Sequence, residues 1–176
     1  MRIVFFGTPQ FATKILERIL FDENDVLAVV TTPDVEKGRG LKVGISDVKK
    51  FALEKKLKVL QPTSLKDTLF IEELAKLNAD LFVVVAFRIL PKQVFQLPKY
   101  GTFNLHGSLL PKFRGAAPIQ WAIIKGEKIT GVTTFKLAEK VDTGNIFLQK
   151  SIEIDESDNF GSLHDKLIEI GQDLVA

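Results

Sequence analysis

Few side chains in this sequence can carry chemistry. There are two histidines, His106 and His164, and no cysteine, which removes thiolate nucleophiles, thiolate metal sites and disulfides together. His106 follows Asn104 by two positions at the end of a strand-like run, so an extended backbone places both side chains on one face. An imidazole and an amide at a strand's carboxyl end can polarise a carbonyl and stabilise the oxyanion that forms when it is attacked. A capping asparagine and an ordinary polar histidine fit the same two residues equally well. Asp142 lies in Asp-Thr-Gly-Asn, where it could simply close a turn by bonding its own backbone. It could instead hold His106 protonated across space. His164, beside Asp165 and Lys166 in a helical pattern, reads as a surface residue. Two histidines without a carboxylate cluster at ligand spacing argue against a catalytic metal.

Other chemistries lack their signatures. Gly7-Thr8-Pro9 stands where a dinucleotide loop would stand, but G-x-G-x-x-G is missing, and Asp34 only approximates the acidic ribose contact. No Walker A sequence occurs, and Ser108 has no G-x-S-x-G elbow around it.

The elements that must hold these residues follow from periodicity. Ile3 to Phe6 predicts a short strand, with Thr8 and Pro9 as N-cap and first-turn proline of a helix whose apolar face is Phe11, Ala12, Ile15, Leu16 and Ile19. Strands are predicted at Val26 to Val30 and Lys58 to Leu60, with a helix over Asp47 to Lys56 between them. A helix over Leu65 to Leu77 then leads to the unbroken apolar run Asp80 to Phe87, which suits a central parallel strand. Gly101 to Leu105 reads as a further strand, followed by a turn-rich segment and a helix over Ile119 to Lys125. Thr130 to Leu137 and Ile146 to Ile154 predict an antiparallel hairpin, and Gly161 to Ala176 a final helix without a convincing cap. The expected fold class is α/β, a Rossmann-like three-layer sandwich with a mostly parallel sheet and a late antiparallel hairpin.

At 176 residues the chain suits one globular domain. A formal net charge of +2 is too small to indicate a nucleic-acid partner. Lys49, Lys50, Lys55, Lys56 and Lys58 are interspersed with Asp47 and Glu54, which reads as a solvated helix face. The loop from Asp34 to Gly44 carries Lys37, Arg39 and Lys42 among three glycines. Gly7 and Pro9 interrupt the N-terminal apolar run too early for a signal segment, and no run reaches the length of a membrane span, so a cytoplasmic protein is expected.

The run Phe103-Asn-Leu-His-Gly-Ser-Leu-Leu-Pro-Lys-Phe-Arg-Gly-Ala-Ala-Pro118 closely resembles the folate-dependent formyltransferases. The resemblance extends to Phe6-Gly-Thr-Pro-Gln-Phe-Ala12, Thr32-Pro-Asp34, Gly38-Arg-Gly40, Val83-Val-Val-Ala86, Leu90-Pro91 and Val141-Asp-Thr-Gly144, and so covers nearly the whole chain. It implies the formyltransferase fold and transfer of a formyl group from 10-formyltetrahydrofolate, without a metal. Asn104 and His106 would polarise the formyl group, and Asp142 would pair with His106 and assist proton removal from the attacking amine. Ser108, Leu109, Leu110 and Pro111 would line the folate site. Gly38-Arg-Gly40 and the run from Arg114 to Gln120 resemble the branch that acts on charged initiator tRNA, with Arg39 as a tRNA contact. A related acceptor class is a small amine, glycinamide ribonucleotide or an amino sugar, and the remaining alternative is a silent folate- or RNA-binding module. The chain reads as a monomeric catalytic domain over 1–176, without the C-terminal tRNA-binding domain that the family carries. Arg88 and Lys140 stand where the family usually has glycine.

Overall fold

The computed structural model describes residues 1–37 and 42–176. The chain divides into two compact units, Met1–Thr102 and Phe103–Ala176. Among the described residues no helix is long and apolar enough to cross a membrane.

The first unit alternates strands and helices. β1 (Arg2–Gly7), α1 (Gln10–Phe21) and β2 (Asp25–Val30) are followed by a small hairpin, β3 (Val35–Lys37) and β4 (Lys42–Gly44). Then come α2 (Asp47–Glu54), β5 (Val59–Leu60), α3 (Thr68–Lys76), β6 (Leu81–Val85) and the single turn α4 (Lys92–Phe95). The strands run parallel in the order β5-β2-β1-β6. β1 lies at the centre, with Val4, Phe5 and Phe6 fully buried, and β6 supplies the continuous apolar strand that burial on both faces requires. The chain leaves β1 toward β2 and returns on its other side at β6, so the order reverses where Gly7 pairs with Val85. In open α/β sheets such a reversal is where strand ends leave room for a ligand.

Helix ends follow from local hydrogen bonding. The Ser46 hydroxyl accepts from the Lys49 amide at the start of α2, and the Asp67 carboxylate accepts from the Phe70 amide at the start of α3. Thr8 does not cap α1 as expected. Pro9 is the cap residue, without a side-chain bond, and the buried Thr8 hydroxyl meets no partner among the described residues. The five residues assigned to the apolar face of α1 are its five buried residues. The segment expected to be one loop from Asp34 to Gly44 contains the β3–β4 pairing, Val35 opposite Gly44 and Lys37 opposite Lys42.

The second unit begins inside β7 (Thr102–His106) and continues through α5 (Pro118–Ile124), β8 (Ile129–Lys136), β9 (Ile146–Glu153) and α6 (Phe160–Val175). Its three strands are antiparallel in the order β7-β8-β9. β8 is central, buried from Thr130 to Phe135. α6 buries Leu163, Leu167, Ile168 and Ile170, and Asn159 closes its N-terminus with a reciprocal capping box to Ser162. Parallel strands early and an antiparallel hairpin late are the order the periodicity predicts.

Candidate functional site

β7 extends one residue further than its apolar pattern suggests, so both Asn104 and His106 lie within it, opposite Phe135 and Thr133 of β8. No bulge interrupts this register, and the spacing of two keeps both side chains on one face of the strand. The His106 ring is almost fully buried. Its Nε2 lies 2.8 Å from the Phe113 carbonyl oxygen. A carbonyl can only accept, so Nε2 carries the hydrogen and Nδ1 is the basic nitrogen of the neutral ring. Nδ1 faces the Asp142 carboxylate at 3.8 Å, with the two side chains only 8% and 11% exposed. That separation exceeds a hydrogen bond but lies within ion-pair range, so a proton reaching Nδ1 would meet a negative charge in a poorly solvated place.

Asp142 does not bond its own backbone. Its Oδ2 accepts from the Gly115 amide at 2.7 Å. The segment 113–115 therefore touches both members of the pair, His106 through the Phe113 carbonyl and Asp142 through the Gly115 amide. Phe113 and Asp142 both have left-handed backbone, with φ of 54° and 50°. This conformation costs a non-glycine residue free energy and persists only where its surroundings impose it. Gly144 closes the same turn, because a Cβ there would run into the Lys136 carbonyl oxygen.

Asn104 completes the arrangement. Its side-chain oxygen is buried and has no partner among the described residues. Buried polar atoms are nearly always bonded, so this oxygen keeps accepting capacity that the fold does not use. The N–H donors of an amide and an imidazole can bind a carbonyl oxygen and stabilise its oxyanion, and the carboxylate beside the imidazole can hold a proton there.

The loop after β7 is fixed by residues that periodicity did not single out. The Thr133 hydroxyl donates to the Ser108 carbonyl at 2.7 Å and accepts from the Leu110 amide at 3.1 Å and Gln149 Nε2 at 2.9 Å. Those three bonds fill a hydroxyl's capacity. Gln149 Nε2 also reaches the Leu110 carbonyl at 3.0 Å, and the buried Ser108 hydroxyl donates to the Lys112 carbonyl at 2.6 Å. Ser108 is thus occupied within the loop, Leu110 is buried, Leu109 is half-buried and Pro111 is exposed. Buried threonines in an otherwise apolar strand, at Thr130, Thr133 and Thr134, are the sequence signal for such a polar node.

The remaining residues lie elsewhere. Arg39 is outside the described residues. In the first unit, Arg88 donates to the Pro62 carbonyl at 2.8 Å and the Thr63 carbonyl at 3.1 Å, with its guanidinium over the Phe87 ring. Burial lowers its pKa from the ordinary arginine value. Lys140 is exposed, and its carbonyl accepts from the Thr143 hydroxyl at 2.9 Å. His164 is mostly buried, its side chain 15% exposed, with Nδ1 3.1 Å from Asp165. That departs from the surface position expected for it, because the ring packs against Phe160.

Known proteins resemble the chain over its full length. It is 55% identical over 176 residues to a methionyl-tRNA formyltransferase of Flavobacterium psychrophilum, covering 99% of this chain and 56% of that protein. It is 52% identical over 178 residues to the enzyme of the same name from Caldanaerobacter subterraneus subsp. tengcongensis, covering 100% of this chain and 58% of that protein. The chain therefore spans little more than half the length of these relatives. A phosphoribosylglycinamide formyltransferase from Bacillus halodurans superposes with a TM-score of 0.81 at 22% identity, over 99% of this chain and 91% of that one, which shows the shared fold. A family model described as Formyl transferase matches residues 1–175, and the chain belongs to that family.

Proposed function

We propose that this chain catalyses transfer of a formyl group from 10-formyltetrahydrofolate to the amino group of a methionyl initiator tRNA, as a monomer in the cytoplasm. The acceptor is taken from the relatives at 55% and 52% identity, both named methionyl-tRNA formyltransferase. The observation that carries the chemistry is the buried His106–Asp142 pair, with Asn104 on the same strand face and its side-chain oxygen left without a partner by the fold.

The amine nitrogen attacks the formyl carbon, forming a carbon–nitrogen bond and an oxyanion. Collapse of that intermediate breaks the bond to the folate nitrogen, which takes up a proton as the attacking ammonium loses one. Asn104 donates to the oxyanion from its amide nitrogen, and the His106 N–H now bonded to Phe113 is a second donor that the substrate oxygen would share. The lost ammonium proton passes to His106 Nδ1, where Asp142 balances the charge. No covalent enzyme intermediate is needed, and holding two substrates in register supplies much of the rate. Ser108 through Pro111 form the donor's binding loop in this reading, held by Thr133 and Gln149, and Arg39 contributes to tRNA contact.

Single-turnover formylation tests the reading, with methionyl initiator tRNA, 10-formyltetrahydrofolate and free small amines as competitors. Formyl-methionyl product that depends on His106 supports it. Transfer only to a small amine such as glycinamide ribonucleotide would replace the acceptor, and folate binding without transfer would replace the reaction.

A further inference from the structure

His106 and Asp142 come from distant parts of the second unit, and a short strap, residues 113–117, lies between the loop after β7 and α5 and touches both. Three alternate residues of the strap have left-handed backbone, Phe113 with φ of 54°, Gly115 with 88° and Ala117 with 59°. Left-handed residues alternating with ordinary ones turn successive backbone N–H groups toward one side and make a concavity suited to an anion. The anion here is internal. The Gly115 amide, in the middle of the three, donates to Asp142 Oδ2 at 2.7 Å, and two residues earlier the Phe113 carbonyl accepts from His106 Nε2 at 2.8 Å. Among the described residues, the Gly115 amide is the one hydrogen-bond donor to a carboxylate whose side chain is only 11% exposed.

Conformation, not space, calls for glycine at position 115. A Cβ built on Gly115 meets no atom within 4 Å, so a side chain there would be unopposed. A φ of 88° is nonetheless one that L side chains rarely adopt. Asparagine enters the left-handed region more readily than alanine, because its short amide can bond locally. The neighbouring side chains take no part in the contact, since Arg114 and Ala116 are exposed.

We propose that Gly115 is a positioning residue of the formyl-transfer site. Its left-handed backbone aims the amide that holds the Asp142 carboxylate opposite His106 Nδ1, and it ties that amide to the carbonyl holding the other ring nitrogen. This rests on the formyl-transfer reading above. A strap relaxed at Gly115 lets the carboxylate turn away, and the imidazole loses the charge that balances the proton it takes up. The loop anchored by Thr133 and Gln149 stays in place, so the loss falls on kcat and not on the KM for 10-formyltetrahydrofolate.

The test compares the unaltered protein with Gly115→Asn, Gly115→Ala and Asp142→Ala. Formyl transfer to methionyl initiator tRNA gives kcat and KM, and hydrogen exchange at the amide of residue 115 is followed separately. Gly115→Ala is expected to lower kcat by about fivefold or more, the least that a left-handed conformation costs an ordinary L residue, with KM for the folate unchanged. Gly115→Asn, although bulkier, stays within about twofold of the parent. The amide exchanges slowly in the parent and in Gly115→Asn, and fast in Gly115→Ala and Asp142→Ala. The reverse order of the alanine and asparagine variants would make side-chain size the cause and overturn the proposal. An unchanged kcat in Gly115→Ala, or an amide still protected in Asp142→Ala, would overturn it as well. If the unaltered protein transfers no formyl group, the reaction assignment fails instead, and exchange at residue 115 still decides whether the strap holds the carboxylate.

Discussion

Replacing Thr133 by valine keeps the shape of the side chain and removes only its hydroxyl, so the variant isolates the polar node beneath the loop after β7. Three bonds disappear, to the Ser108 carbonyl, the Leu110 amide and Gln149 Nε2. The Leu110 amide is buried and has no second acceptor in the loop, and an orphaned donor of that kind costs about 1–3 kcal/mol. The Ser108 carbonyl loses one bond, worth about 1 kcal/mol. Gln149 keeps its bond to the Leu110 carbonyl and adds little. Burying a methyl where a hydroxyl stood returns about 1 kcal/mol, leaving a net loss of roughly 1–3 kcal/mol, centred near 2. Thr133→Ser keeps the hydroxyl and loses one methyl group, about 1 kcal/mol. Urea unfolding of the three proteins measures the difference, and at a slope of about 2 kcal/mol per molar the valine variant unfolds about 1 M earlier. Amide hydrogen exchange at Leu110 gives an independent readout, slow in the parent and the serine variant and fast in the valine variant. A valine variant as stable as the serine variant, with Leu110 still protected, would refute the assignment of Thr133 as the anchor of this loop.

Other perturbations test separate parts of the structure. Asn104→Ala removes a buried oxygen that has no partner, so it should leave the urea midpoint unchanged while lowering the formyl-transfer rate by the roughly 2.7–4 kcal/mol typical of one oxyanion donor. A parallel loss of stability would show that the amide serves the fold. His106→Ala should cost more activity in the same assay, because it removes a donor and the proton acceptor together. Gly131→Ala drives a Cβ into the Lys150 carbonyl, the Ser151 Cα and Leu109, and two of those are backbone atoms, so destabilisation of about 1–3 kcal/mol or more is expected in thermal unfolding. Asp158 is held at a pKa of about 2, chiefly by its bond to Lys166, with Ser162 and the Asp155 amide adding to it. Its folded value lies below the ordinary 3.8, so its contribution at the start of α6 is complete above that pH and is lost as pH falls toward 2. Carboxyl chemical shifts followed by NMR should give a midpoint near 2, and a midpoint near 3.8 would remove Lys166 from the account.

Much of this protein is determined by local pattern. The apolar face of α1 and the unbroken apolar run of β6 each follow from where apolar side chains recur. The face shared by Asn104 and His106 follows likewise from a spacing of two in a strand. Contacts made across sequence distance do not follow from local pattern, and the pairing of Asp142 with His106 was one of two readings of that residue. Asp142 could have closed its own turn, and only folding shows its carboxylate at the Gly115 amide and opposite His106, 36 positions back along the chain. Lys49 looked like one more solvated lysine, yet it meets Asp34 because α2 packs beside the end of β2. The β3–β4 pairing was hidden because strands of three residues leave no period to read. A sequence fixes which residues must be buried, since burial depends on each residue's own polarity and its local spacing. Which polar group answers which depends on the packing of whole elements, and the tertiary structure alone decides that.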